Sequence, residues 1–321
     1  MKLSTLNASV LTGLLVSMPV FAAPTVYIAA SDADEVIVLD GATDRIAGTI
    51  SGLERPHDIV ATPGGQTLIA GSLQQKPMAD TNFSVIERSN GQVKFKIPME
   101  GWSYHQVVTP DGRYVLSTRP SEGQVRVVDL DARQVIKLIA AGSAANHLLL
   151  SEDGRYVYVS NERDDAISQI DVSTWSVTQA MPAGRAPGHM VMSPDGKLIY
   201  VTSHDTGQVS AVSVALGEVV DSCRVGKGLH GIDVSDDGKT LFVSSRTDNK
   251  LYVLDASLQK QPQRMLELSP APYHVKAIKG TGKVYVASHT APKLWVIDQA
   301  TLEVLDEIEL PAVGHHMEVV Y

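Results

Sequence analysis

Histidines recur along this chain at nearly constant intervals. Eight of its ten histidines occupy one or the other of two adjacent positions in a repeat, and successive sites lie 41 to 48 residues apart. They are His57, His105, His147, His189, His230, His274 and the adjacent pair His315 and His316. Imidazole is the commonest metal ligand among side chains. If the repeat winds around an axis, these imidazoles converge, so the spacing predicts a metal site there.

The repeat itself has the pattern of four short strands. After His189 come an apolar segment, the turn Ser193-Pro194-Asp195-Gly196 and strand-like segments at 198–203, 208–214 and 218–224. Proline fixes φ and glycine accepts a positive φ, so this turn predicts a hairpin. Similar turns recur at 109–112, 151–154 and 235–238, with degenerate versions at 62–65 and 279–282. Four strands in roughly 42 residues is the period of a β-propeller blade.

The two ends of the chain complement each other. Residues 25–30, 36–40 and 45–50 supply the second, third and fourth strands of a blade, and 316–321 supplies a first strand. Joined, they make a seventh blade and remove the exposed edges of the array. The predicted fold is therefore all-β: a seven-bladed β-propeller with four antiparallel strands per blade, closed by strands from both termini.

The N-terminus has the pattern of an export signal. Lys2 precedes an apolar run at 11–21 and small side chains before Ala23, which predicts a signal peptide at 1–22, a propeller domain at 23–321 and a periplasmic location. No later segment is long and apolar enough to predict a membrane span. The formal net charge of −9 does not indicate a basic surface that would bind nucleic acid. The single cysteine, Cys223, cannot form an intramolecular disulfide.

A second polar set is expected near the same face. Arg119, His204, Arg246 and His289 stand where the second strands end. An outgoing second strand returns to the level at which the first strand began, and arginine binds carboxylates and oxyanions bidentately. These four residues are predicted to bind a cofactor or substrate with such groups. Asp58, next to His57, is expected to accept a ring N–H and set a tautomer.

The histidines are not all in register with the turn glycines. His105, His147 and His189 precede the glycine of the following turn by seven residues, whereas His57, His230 and His274 precede it by eight, and His315 and His316 fill both positions. Adjacent strand residues point in opposite directions. Two offset tiers are therefore predicted, rather than one flat ring.

The Ser-Pro-Asp-Gly, Tyr-Val-x-Ser and Val-x-Asp segments resemble those of the YVTN-type β-propellers found in exported bacterial proteins, over the whole of 23–321. The segments Pro56-His57-Asp58 and His315-His316 are also similar to ligand motifs of the nitrous oxide reductase propeller, which implies copper. The chain has no cupredoxin domain, so a copper oxidoreductase of this kind would need an external periplasmic electron donor.

Two further interpretations stay open. The placement of the arginines and histidines resembles that in the d1-haem domain of cytochrome cd1 nitrite reductase and in the assembly protein NirF. This resemblance implies a tetrapyrrole held by Arg119, Arg246, His204 and His289, although those propellers have eight blades. The other is a protein without catalysis: a metal chaperone that passes copper or zinc to a periplasmic partner, or an interaction propeller. Imidazole-only ligation favours copper, with zinc or iron as alternatives. A c-type haem is excluded because Cys-x-x-Cys-His is absent.

Overall fold

The computed structural model describes residues 23–73, 81–259, 261–262 and 264–321. Within these ranges the chain forms seven four-stranded antiparallel sheets, and the single helical element is a 3-10 turn at Ser31–Ala33. No helix in the described ranges has the length and apolarity to cross a membrane. The predicted signal peptide at 1–22 lies outside the described residues. The prediction of a seven-bladed propeller is confirmed.

Each of the first four blades contains four strands. Blade 1 contains β1 (Thr25–Ala30), β2 (Glu35–Asp40) and β3 (Arg45–Ile50), together with a strand from the other end of the chain. Blade 2 contains β4 (Pro56–Ala61), β5 (Thr67–Ser72), β6 (Thr81–Glu87) and β7 (Gln92–Met99). Blade 3 contains β8 (Gln106–Val108), β9 (Tyr114–Arg119), β10 (Gln124–Asp129) and β11 (Gln134–Ala140). Blade 4 contains β12 (Ala145–Leu150), β13 (Tyr156–Asn161), β14 (Ala166–Asp171) and β15 (Ser176–Pro182).

The other three blades repeat the pattern. Blade 5 contains β16 (Pro187–Met192), β17 (Leu198–Ser203), β18 (Gln208–Ser213) and β19 (Glu218–Arg224). Blade 6 contains β20 (Leu229–Val234), β21 (Thr240–Ser245), β22 (Lys250–Asp255) and β23 (Arg264–Glu267). Blade 7 contains β24 (Pro272–Ile278), β25 (Lys283–Ser288), β26 (Lys293–Asp298) and β27 (Val304–Glu309). The final strand, β28 (Met317–Val320), completes blade 1.

Blade 1 closes the ring in the way that the sequence predicts. Strand β28 pairs antiparallel with β1, with Met317 opposite Ile28 and Val320 opposite Thr25. The innermost strand of this blade thus comes from one end of the chain and the other three from the opposite end. Closure of this kind leaves blades 2 and 7 with a packed neighbour on each side.

The hairpin turns have the predicted chemistry. In blade 4 the Ser151 hydroxyl donates to Asp153 at 2.6 Å and accepts from the backbone N–H of Tyr156 at 2.9 Å, while Gly154 has φ of 69°. The same serine–aspartate pairing occurs at Ser193 and Ser235. The recurrent turn aspartates are therefore explained by the turns that they stabilise, on the face opposite the histidines.

The apolar core lies between neighbouring blades. Phe242 and Leu251 of blade 6 pack against Val284 and Trp295 of blade 7, and equivalent clusters fill the other interfaces. Second and third strands such as β13 and β10 are mostly buried, whereas inner strands such as β12 are partly buried and outer strands such as β3 are largely exposed to solvent. Because the faces of the blades supply the core, the channel-lining ends of the inner strands can carry polar side chains.

Candidate metal centre

Each histidine of the repeat lies in a β-bulge at the start of an inner strand. In blade 5, Pro187 pairs with Ser203 and Met190 with Val201, so Gly188 and His189 together lie opposite Thr202. The same two-against-one arrangement occurs in all seven blades. A bulge of this kind re-aims side chains that a regular strand would send to opposite faces.

The second position of each bulge faces the central channel. We call this set the channel tier: Asp58, His105, His147, His189, Gly231, His274 and His316. All seven line one cavity of about 380 Å³ on the propeller axis. Five imidazoles and one carboxylate therefore converge on a single point.

The first position of each bulge lies nearer the open end of the channel. We call this set the mouth tier: His57, Tyr104, Asn146, Gly188, His230, Tyr273 and His315. His57 stacks on Tyr104 and contacts the tilted ring of His315, with ring centroids 4.2 and 4.0 Å away. His230 stacks on Tyr273 with centroids 3.6 Å apart and the planes nearly parallel. Aromatic rings thus roof much of the channel tier.

The structure has two tiers, but it corrects the predicted assignment of His274. The count to Gly282 groups His274 with His57 and His230, whereas the structure places it in the channel tier. The strand residue after the bulge decides this, since Val275 pairs with Val286 as Met190 pairs with Val201. In the irregular turn of blade 7, Gly282 comes one residue later than the corresponding glycine elsewhere, so it misleads the count.

Two trios of histidines have nitrogen atoms close enough to share a metal ion. Within each trio, one ring nitrogen per residue lies within 4.8 Å of the other two. The trios are His105, His147 and His316, and His189, His230 and His274. They are adjacent, because the rings of His105 and His147 lie 5.0 and 4.6 Å from that of His189. Three neutral imidazoles are a recognised ligand set for zinc and copper ions.

Gly231 explains why blade 6 contributes its histidine from the mouth tier. A Cβ atom at Gly231 would lie 2.4 Å from the Tyr273 carbonyl oxygen and 2.8 Å from the Val275 nitrogen. The backbone of blade 7 therefore leaves no room for a side chain at this channel position. His230, one residue earlier, reaches down between His189 and His274, with centroids 4.2 and 5.0 Å away.

We expect the substitution Gly231→Ala to destabilise the protein by about 2–4 kcal/mol, because the new methyl group meets backbone rather than a flexible side chain. Urea denaturation of the metal-free protein measures this. Gly188→Ala is the matched control, since its Cβ would meet only Thr202 at 3.5 Å. Equal stability of the two variants would contradict the close approach of the blades.

Several ring nitrogens of the cluster are buried and have no protein partner. Both nitrogens of His57, Nδ1 of His147 and Nε2 of His230 are in this state. Between His274 Nε2 and His315 Nδ1 the distance is 3.0 Å, so one of these atoms carries the proton and the other accepts it. Buried polar atoms are nearly always satisfied in folded proteins, and exceptions mark sites for ions or water.

Burial also keeps the imidazoles neutral. It lowers the pKa of His147, His189 and His274 well below the ordinary value, and neighbouring histidines lower it further. His57 and His230 behave in the same way, and the pKa of His315 falls to about 3. A neutral imidazole has the lone pair that a metal ion needs, so these six imidazoles are held in their ligating form at neutral pH.

Asp58 is the one carboxylate of the channel tier. It accepts hydrogen bonds at 2.7 Å from the backbone nitrogens of Ile59 and Gln106, and its oxygens contact Nδ1 of His316 and, at 3.7 Å, Nδ1 of His105. Its pKa lies well below the ordinary range because these partners outweigh the cost of burial. The histidines that Asp58 contacts are His105 and His316, two members of one trio, which it therefore orients.

The predicted second-strand set divides into two parts. His204 and Arg246 line a pocket at the mouth, with Arg246 Nη2 donating to His204 Nε2 at 2.9 Å, and His289 packs on Tyr273 with centroids 4.2 Å apart. Arg119 is elsewhere: its guanidinium contacts Glu122 at 3.2 Å and Gln124 at 2.9 Å within its own blade. The reason is that β9 and β10 join by a tight turn that supplies both partners.

The sequence analysis did not single out Tyr104 and Tyr273. Both are mouth-tier residues, and each immediately precedes a channel-tier histidine, which is the signal that could have identified them. One level below the histidines lie Asp233, Lys276 and Glu318, each two residues after a bulge and each facing the channel cavity. The two-residue period of the strand relates this level to the channel tier.

Fold and site together define a seven-bladed β-propeller with a buried imidazole cluster on its axis. Residues 78–232 match the family model described as YNCE-like beta-propeller. No curated protein matches the sequence.

Solved structures share the fold at low identity. A periplasmic gluconolactonase of Pseudomonas aeruginosa is 17% identical with a TM-score of 0.74, and the match covers 94% of this chain and 99% of that one. Hydrazine synthase of Kuenenia stuttgartiensis is 19% identical with a TM-score of 0.64, and the match covers 76% of each chain. At such identities the likeness concerns the fold alone, so function has to be argued from the site.

Proposed function

We propose that the protein binds copper in its imidazole cluster and acts in the periplasm as a copper-dependent oxidoreductase with an external electron donor. The observation that carries the proposal is the pair of adjacent histidine trios, in each of which one ring nitrogen per residue lies within 4.8 Å of the other two. Bound there, copper would supply one-electron chemistry, and His105, His147, His316, His189, His230 and His274 would hold it.

The donor set supports copper over other metals. Among the divalent first-row metals, copper binds most tightly to a site made only of nitrogen ligands. Calcium and magnesium prefer oxygen ligands. A single tetrahedral zinc ion needs at most four ligands, whereas two trios with His57 and His315 beside them offer more. The number of imidazoles therefore favours more than one ion in a shared cluster.

Burial favours an enzyme over a carrier that passes metal to a partner. His105 and His274 are 2% and 3% exposed, and the stacked rings of the mouth tier lie above them. A protein partner could not bring its own ligands to such a site without opening the propeller. Small molecules can reach the polar pocket at the mouth, which His189 and His230 line from below.

The tetrapyrrole alternative has less support. Arg119, one of the four residues assigned to its carboxylates, is bonded to Glu122 and Gln124 in blade 3. Seven blades also match the propeller of nitrous oxide reductase better than the eight-bladed d1-haem domain, as the resemblance implies. Tyr104 and Tyr273 occupy the level at which a flat macrocycle would have to lie over the histidines.

Metal analysis of the protein purified from a periplasm, together with visible and electron paramagnetic resonance spectra, tests the proposal. We expect copper at two ions per chain, one for each trio, and nitrogen hyperfine structure in the spectrum. Strong porphyrin-type bands, zinc as the only metal, or no tight uptake of added copper would each contradict it.

A further inference from the structure

The mouth pocket above the histidines is lined by hydrogen-bond donors and by charged groups of both signs. Arg246, Arg163, His204, Tyr104 and Tyr273 line it, together with the carboxylates of Glu162 and Asp205. Its volume is about 380 Å³, and His189 and His230 form its floor. The pocket and the metal centre therefore share these two histidines.

Arg246 is held across this pocket by two contacts. One Nη atom donates to His204 Nε2 at 2.9 Å, and the guanidinium carbon lies 5.9 Å from the centre of the Tyr273 ring. Arginine is always a donor, so His204 Nε2 is the acceptor and its proton is on Nδ1, where Asp205 lies 3.6 Å away. His204 thus positions the guanidinium of Arg246, whose remaining N–H groups can donate to a ligand.

Two phenol groups complete the donor set. Tyr104 stacks on His57 and Tyr273 on His230, so both rings are fixed by the cluster itself. Tyr273 is 5% exposed, and both tyrosines line the pocket beside Arg246 and Glu162. Two tyrosines and a guanidinium therefore line the space over His189 and His230.

We propose that this pocket binds a small anion with paired oxygens, a carboxylate or an oxyanion such as nitrite, between Arg246 and the hydroxyls of Tyr104 and Tyr273. The inference rests on the proposed function and deepens it, because it names the substrate class of the copper site. A planar guanidinium matches two oxygens of such a group, and phenol donors bind negative oxygen. Glu162 and Asp205 at the rim disfavour dianions and larger polyanions by like-charge repulsion.

Calorimetric titration of the metal-free protein with acetate and with nitrite tests the proposal separately from copper. We expect saturable binding of at least one, with the tighter ligand showing whether the natural ligand is a carboxylate or an inorganic oxyanion. Arg246→Gln should weaken binding about tenfold or more, and Arg246→Lys should weaken it less because the charge is kept. Tyr104→Phe and Tyr273→Phe should each weaken it several-fold.

Arg155→Gln is the matched control: it removes the same charge on the opposite face, beside the turn of blade 4, and should leave binding unchanged. Binding that survives in Arg246→Gln, or no saturable binding of either anion, would overturn the proposal. The metal-free result is independent of copper uptake, so failure of the copper assignment would be recognised separately. In copper-loaded protein, the bound anion should also shift the resonance spectrum, and this shift should be lost in Arg246→Gln.

Discussion

Replacing His147 and His189 together by alanine is expected to abolish tight copper uptake while the protein stays folded. Each substitution removes one ligand from a different trio, so neither trio keeps three imidazoles. Loss of groups that only orient ligands already costs 10- to 100-fold in metal affinity, so loss of two ligands should exceed about 100-fold. Competition titration with a copper chelator measures this directly.

His204→Ala is the control for this double variant. It removes an imidazole from the same end of the propeller, but His204 is bonded to Arg246 and belongs to neither trio. It should retain copper. Copper should stabilise the native protein because it binds only the folded state. This stabilisation should persist in His204→Ala and vanish in the double variant. Unchanged uptake in the double variant would refute the assignment of the metal centre.

The metal-free protein is expected to lose stability steeply as the pH falls from about 6.5 to 5. Burial lowers the pKa of seven clustered histidines in the folded state, whereas in the unfolded chain they titrate near 6.5. Below that pH the unfolded state binds more protons, so it gains stability relative to the native state. Each histidine contributes a slope of up to about 1.4 kcal/mol per pH unit until its folded pKa is reached.

Asp58 does not add to this loss. Its folded pKa is depressed, so the stability that it contributes is complete above the unfolded pKa near 3.9 and declines only below it. Thermal or urea unfolding at pH 7.5, 6 and 5 measures the effect. The variant His147→Ala/His189→Ala should show a shallower dependence because two titrating groups are gone. An unfolding midpoint that stays the same from pH 7.5 to pH 5 would show that the imidazoles are not buried in neutral form.

The overall architecture could be predicted because the repeat carries local signals. Turns such as Ser193-Pro194-Asp195-Gly196 specify a hairpin through residues that are adjacent in the sequence. The interval between histidines equals the length of one blade. Strand β28 was predicted in the same way, since 25–30 lacks an inner partner unless residues near 316–321 supply it. Local chemistry and period together leave little freedom in such a fold.

The orientation of the site residues depended on contacts that the repeat does not encode. The bulge places Asp58 in a histidine position, and its partners His105 and His316 come from neighbouring blades rather than from its own. His274 was assigned to the wrong tier because the turn after it is irregular. Arg119 was expected at the mouth, but Glu122 and Gln124 of its own blade bind it. The partners of Asp58 are non-local and the turn after His274 is irregular, whereas Arg119 is held by side chains of the tight turn that follows it.

The repeated bulge makes the axial site modular. The backbone of each blade presents two adjacent side chains to the axis, and the blades differ in which of the two carries the histidine: blade 5 uses the second position, blade 6 the first, and blade 1 both. Except at Gly231, where blade 7 leaves no room for a side chain, substitution at one blade changes the ligand set without changing the backbone that supports it. A propeller of this kind can therefore evolve from a bare channel to a polynuclear centre one imidazole at a time, and a designer could vary the number of bound ions by the same route.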